Sequence, residues 1–104
     1  MGRRTEYVIM FDDNVRKRHS HQTEKGCVQY FVVQLEVKVE DVWKVVIRYD
    51  CAHGFAHIDT YDLRGNQRKT ELDLTFESAL SYADWDLNEN WEKYTQKFLR
   101  GEKL

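Results

Sequence analysis

Cys27-Val28-Gln29-Tyr30-Phe31-Val32-Val33-Gln34-Leu35-Glu36-Val37-Lys38-Val39, then Glu40-Asp41, then Val42-Trp43-Lys44-Val45-Val46-Ile47-Arg48-Tyr49 carries the clearest strand pattern of the chain. Phe31, Val33, Leu35, Val37 and Val39 share one parity. The opposite parity begins with Val28, Tyr30 and Val32 and turns polar at Gln34, Glu36 and Lys38. A period of two is the signature of a strand with one buried face, and the doubly apolar start implies burial on both sides there. After the polar break at Glu40-Asp41 the alternation resumes with Trp43, Val45, Ile47 and Tyr49. Two strands joined by so short a break make a hairpin.

Outward from that hairpin, Tyr7-Val8-Ile9-Met10-Phe11 is a run of strand length ended by the turn cluster Asp12-Asp13-Asn14. Residues 14–26 are almost free of apolar side chains. They predict a mobile connection or the polar end of a hairpin closing at Gly26, and residues 1–6 are expected to be mobile too. A further strand is expected from Phe55 to Leu63, closed by Arg64-Gly65-Asn66. From Thr75 the period changes: Phe76, Leu80, Ala83, Leu87, Trp91, Tyr94 and Phe98 recur at spacings of three and four. Asp73 or Thr75 suits the N-cap, and Lys97, Arg100 and Gly101 suit the end. Asp86-Leu87-Asn88-Glu89-Asn90 has weak helix propensity, which leaves room for a kink or a split. The expectation is a single α+β domain over residues 1–104, with an antiparallel meander of three to four strands under a long C-terminal helix.

At 104 residues the chain is long enough for one core. No apolar run approaches the ~20 residues needed to cross a bilayer, and the start does not read as a signal peptide. A cytoplasmic protein with no membrane partner is expected, its Cys27 and Cys51 reduced. The net charge of −2 does not announce a nucleic-acid binder. Its distribution is uneven, with residues 1–25 at +2 and residues 71–104 at −4. Arg16-Lys17-Arg18-His19-Ser20-His21 forms a basic tip that would touch phosphates, or else an ordinary solvated loop. Trp85 and Tyr82 fall off the helical stripe and suit either a second buried face or a partner chain, so a homodimer through the helix or a sheet edge is open. The acids Asp84, Asp86, Glu89 and Glu92 are expected to be solvated.

Chemistry concentrates in Arg48-Tyr49-Asp50-Cys51-Ala52-His53-Gly54-Phe55-Ala56-His57-Ile58-Asp59. On a strand His57 and Asp59 share a face, with Cα atoms roughly 7 Å apart. A bend between residues 50 and 55 would bring Arg48 and Asp50 alongside, and the geometry of that bend decides whether they share the His57 face. Three readings compete. In the first, His53 or His57 moves protons, Asp50 or Asp59 orients an imidazole and Arg48 steadies a phosphorane, which is acid–base RNA cleavage needing no metal or cofactor. In the second, His53, His57 and Asp59, joined by His19 or His21, bind a metal. In the third, these residues make ordinary turn caps and ion pairs.

The run Arg48-Tyr49-Asp50-Cys51-Ala52-His53, with a His and an Asp on the next strand, resembles the R-[YW]-D-N-A-x-H core of TumE-type toxins of prokaryotic toxin–antitoxin systems. It is still more similar to uncharacterised prokaryotic proteins with an R-Y-D-x-A-H-G-x-x-H-x-D core and a helix like Asp86-Leu87-Asn88-Glu89-Asn90-Trp91. The first resemblance covers about a dozen residues, the second most of residues 28–98. Both families are small α+β proteins, and the toxins are regarded as ribonucleases paired with an antitoxin. The resemblance therefore implies RNA and a cognate antitoxin as partners, and it points to Arg48, Asp50, His53 and His57. Cys51 stands where the toxins usually carry Asn, and Gly54-Phe55-Ala56 replaces a longer His-containing insertion. The alternative to a nuclease is a non-catalytic protein-binding module.

Overall fold

The computed structural model describes residues 2–104. Six strands follow one another as β1 (Arg3–Asp12), β2 (Val15–Glu24), β3 (Cys27–Val39), β4 (Val42–Asp50), β5 (His57–Tyr61) and β6 (Gln67–Glu71), before α1 (Phe76–Leu99). Each strand pairs antiparallel with the next, in the order β1-β2-β3-β4-β5-β6. The α+β class and the meander stand as expected, but the sheet has six strands rather than three to four.

The added strands are β2 and β6, both polar in sequence. Residues 14–26 are not a mobile connection. They turn at Asp13-Asn14 and run as β2 between two neighbours, closing a hairpin at Lys25-Gly26. The ladder satisfies the backbone of β2 on both edges, so it needs few apolar side chains of its own. Of the expected mobile start, Met1 lies outside the described residues and Arg3–Glu6 belong to β1. At the β3–β4 turn Glu40 and Asp41 both take positive φ, 52° and 64°, the conformation a two-residue hairpin of right-handed twist requires.

Helix α1 covers one face of the sheet. Val15 of β2, Phe31, Val33, Leu35 and Val37 of β3, and Ile47 and Tyr49 of β4 meet Ala79, Ala83, Leu87 and Phe98 of the helix, all buried. Trp91 stacks on Phe11 with ring centres 5.1 Å apart, clamping the helix over the β1 end. Thr75 is the N-cap, its hydroxyl accepting from the Ser78 N–H at 3.1 Å. At the far end Gly101 has φ 73°; its N–H reaches Phe98 O and the Glu102 N–H reaches Lys97 O, a Schellman stop that glycine accepts without strain.

The helix runs unbroken through Asp86–Asn90, because tertiary hydrogen bonds outweigh the weak local propensity. Asp86 is 3% exposed. It accepts from Tyr49 Oη (2.5 Å), Tyr94 Oη (2.7 Å) and Asn90 Nδ2 (2.8 Å). Asp86 is thus a buried anchor between helix and β4, not a solvated acid.

Candidate functional site

The register of β4 and β5 places Asp50 opposite His57 and Arg48 opposite Asp59. Tyr49, between Arg48 and Asp50, points to the helix. By alternation Arg48, Asp50, His57, Asp59 and Tyr61 therefore share the face that the helix leaves uncovered. The bend between the strands is the exposed turn Ala52–Phe55, in which Gly54 takes φ 86° and its N–H bonds to Cys51 O. That turn folds the His53 and Phe55 rings onto His57, with centres 5.8 and 5.7 Å from its own.

His57 is 1% exposed, Asp59 3% and Asp50 7%. His57 Nε2 lies 2.5 Å from Asp50 Oδ1 and 3.6 Å from Asp59 Oδ2. Its Nδ1 faces the Phe55 carbonyl at 3.4 Å. Oδ1 of Asp59 is buried with no hydrogen-bond partner among the described residues. Asp50, His57 and Asp59 each offer a ligand atom, and all three atoms lie within 4.8 Å of one another. His53 alone of the two site histidines is exposed.

Arg48 does not ion-pair with these carboxylates. Its Nε donates to Gln34 Oε1 at 2.8 Å and its Nη1 to Tyr61 Oη at 3.4 Å. Gln34 donates in turn to Glu36, which also accepts from Arg16 Nε at 2.5 Å. A polar belt thus crosses the uncovered face from β2 to β5. Burial pushes the Tyr61 phenol up, partly countered by Arg48. Beside the belt, Arg4, Arg18, Ser20, Tyr30 and Gln34 line an open groove of about 570 Å³ over β1–β3, together with Glu6 and Glu36.

The expected basic tip does not exist as a tip. Lys17 and His19 are 1% and 4% exposed and face the helix, so they are not phosphate contacts. Lys17 Nζ bonds Asp84 Oδ1 (3.1 Å) and Asn88 Oδ1 (2.8 Å). His19 reaches Asp84 and Tyr7 Oη through Nδ1 (both 3.1 Å) and His21 through Nε2 (2.5 Å). Burial alone would push the Asp84 carboxyl up, but the hydrogen bonds from His19 and Lys17 outweigh it and hold it below the ordinary range. Burial, and then the charge of His19, push the His21 imidazole down. Asp84 is thus half-buried and paired, not a free surface acid.

His19 and His21 stand on the covered face, on β2, so neither can join His57 around one ion. Arg16 lies across the Trp43 ring, 3.9 Å from its centre. Of the five residues expected to bind RNA, Arg18 is the one left with a side chain more than half exposed. The sequence carried a signal for the Lys17 cluster: Val15, Lys17, His19 and His21 alternate on one strand face, and Asp84 and Asn88 stand one helical turn apart.

Among the described residues no helix is long and apolar enough to cross a membrane. No curated protein and no solved structure matches this chain. A family model described as a domain of unknown function, DUF7718, matches residues 1–104, and the chain belongs to that family.

Proposed function

We propose that the uncovered face of the sheet binds RNA and cleaves its backbone by acid–base chemistry, with no step passing through a metal. The observation that carries this reading is the stack of exposed His53 on buried His57, with Asp50 on the His57 ring and Arg48 on the same face. His53 meets the substrate. It takes the proton of a ribose 2′-hydroxyl as that oxygen attacks the adjacent phosphorus. The bond from phosphorus to the 5′ oxygen breaks, and the same imidazole returns the proton to that oxygen. The products are a 2′,3′-cyclic phosphate and a 5′-hydroxyl. Arg48 turns Nη2 toward the charge building on phosphorus. His57, fixed by Asp50 and Asp59, is a positioning residue that seats the His53 ring.

Arg4 and Arg18 supply cations for the incoming strand, and Tyr30 a ring on which a base stacks. The likeness of Arg48–His53 to the toxin core supports the same substrate class. The test is incubation of a structured RNA in EDTA with wild type, His53→Ala and His57→Ala. Cleavage by wild type, abolished in His53→Ala and reduced in His57→Ala, is the expected result. Equal cleavage by all three, or none by any, removes the reading.

A second reading, a binding module that pairs with another copy, is favoured by Tyr82 and Trp85 of the helix, 44% and 56% exposed with ring centres 5.8 Å apart. It predicts a dimer by light scattering that Trp85→Glu dissociates, with both histidines dispensable.

A further inference from the structure

Asp50, His57 and Asp59 leave a charge problem. With both carboxylates ionised the trio carries −2 beside a neutral imidazole and −1 beside an imidazolium. All three side chains are more than nine-tenths shielded from water. Charge in such a place requires compensation. Arg48, the cation on the neighbouring register position, spends Nε and Nη1 on Gln34 and Tyr61. Oδ1 of Asp59 accepts from none of the described residues. Structural ion pairs rarely leave a buried carboxylate oxygen orphaned.

We infer that Asp50, His57 and Asp59 form a binding site for one divalent first-row transition ion, held by one imidazole nitrogen and two carboxylates. The chemistry selects the class: imidazole favours zinc, iron or cobalt over the hard ions magnesium and calcium, which prefer oxygen alone. Bond lengths near 2.0–2.2 Å set tetrahedral ligand atoms roughly 3.3 Å apart. The present separations, 2.5 Å to Asp50 and 3.6 Å to Asp59, bracket that value. Asp50 would have to draw back from its 2.5 Å approach to His57 by roughly an ångström to reach that spacing. Register fixes the donors, since Asp50 and His57 are direct cross-strand partners and Asp59 is two residues along the same face. Ion binding follows from the buried charge and the orphaned Asp59 oxygen alone, although its ligands are the same residues that seat His53.

The experiment titrates zinc into the full-length protein after EDTA treatment and desalting, by calorimetry. It is repeated on Asp59→Asn, His57→Gln and His21→Ala. One equivalent should bind, at least about 100-fold more weakly in Asp59→Asn and His57→Gln, and within about twofold of wild type in His21→Ala. No saturable binding by wild type, or equal weakening in His21→Ala, would overturn the site. Thermal unfolding covers variants that fold poorly. In EDTA, Asp59→Asn should melt at or above wild type, because it removes a buried charge. Excess zinc should raise the melting temperature of wild type by about 5 °C or more and leave that of Asp59→Asn unmoved. A lower melting point for Asp59→Asn in EDTA would defeat the charge argument. RNA cleavage is not among these readouts, so a protein that cleaves no RNA can still bind the ion.

Discussion

Replacing Asp86 by Ala tests the link between helix and sheet. The carboxylate is 3% exposed and accepts three hydrogen bonds, from Tyr49, Tyr94 and Asn90. Truncation strands the Tyr49 hydroxyl in a residue only 1% exposed, whereas Tyr94 and Asn90 are half-buried and can turn to water. A hydrogen bond to a charged acceptor contributes about 1.5–3 kcal/mol, and an orphaned buried donor costs about 1–3 kcal/mol. Alanine returns roughly 0.5 kcal/mol of helix propensity. The expected loss is about 3 kcal/mol, a large share of a typical stability. Urea unfolding followed by tryptophan fluorescence measures it as a lower midpoint at constant slope. The double variant Asp86→Leu/Tyr49→Phe should recover part of the loss, since no donor is then left unpaired. A loss below about 1 kcal/mol in Asp86→Ala would mean that Asp86 does not anchor the helix to β4.

Burial and the hydrogen bond to Asp86 raise the Tyr49 phenol, and the same two causes raise Tyr94. The unfolded chain releases those protons near pH 10 while the folded one keeps them. Stability is therefore complete below pH 10 and falls as pH rises above it, more steeply in wild type than in Tyr49→Phe. At the acid end the lowered Asp84 contributes stability that is present above its unfolded value of 3.8 and lost as pH falls below it. Lys17→Met should flatten that acid limb and cost about 2 kcal/mol at neutral pH, less than for a sealed pair because Asp84 keeps His19 and partial contact with water. Cys27 is exposed, whereas Cys51 is 5% exposed with its thiol pushed up by burial. A disulfide reagent at pH 8 should label one thiol per chain at once and the second only with denaturant.

Much of this fold was readable wherever side chains carried the burial. β3 and β4 alternate strongly because one face packs on the helix, and the period of α1 follows from the same core. β2 was hard to read for the opposite reason, its one local sign being the alternation of Val15, Lys17, His19 and His21. Its inner positions are Lys17 and His19, whose burial is made possible by Asp84 and Asn88 some 70 residues away, a partnership no local window contains. β6 is exposed along its whole length, so its only signal is backbone pairing with β5. The shared face of His57 and Asp59 was readable from parity, but that Arg48 and Asp50 join it depends on the bend and register of β4 and β5, which local sequence does not fix. The sealing of His57 under His53 and Phe55 was not readable either, because it depends on how the Gly54 turn folds. The expected solvation of Asp84 and Asp86 failed because hydropathy does not register hydrogen bonds offered from another strand.

The ends of the RNA fragments made in the presence of EDTA separate attack by the ribose hydroxyl from attack by water. An imidazole acting on the ribose hydroxyl predicts 2′,3′-cyclic phosphate and 5′-hydroxyl termini from wild type and no product from His53→Ala. Fragments ending in 3′-hydroxyl and 5′-phosphate, which arise by attack of water, would contradict the mechanism.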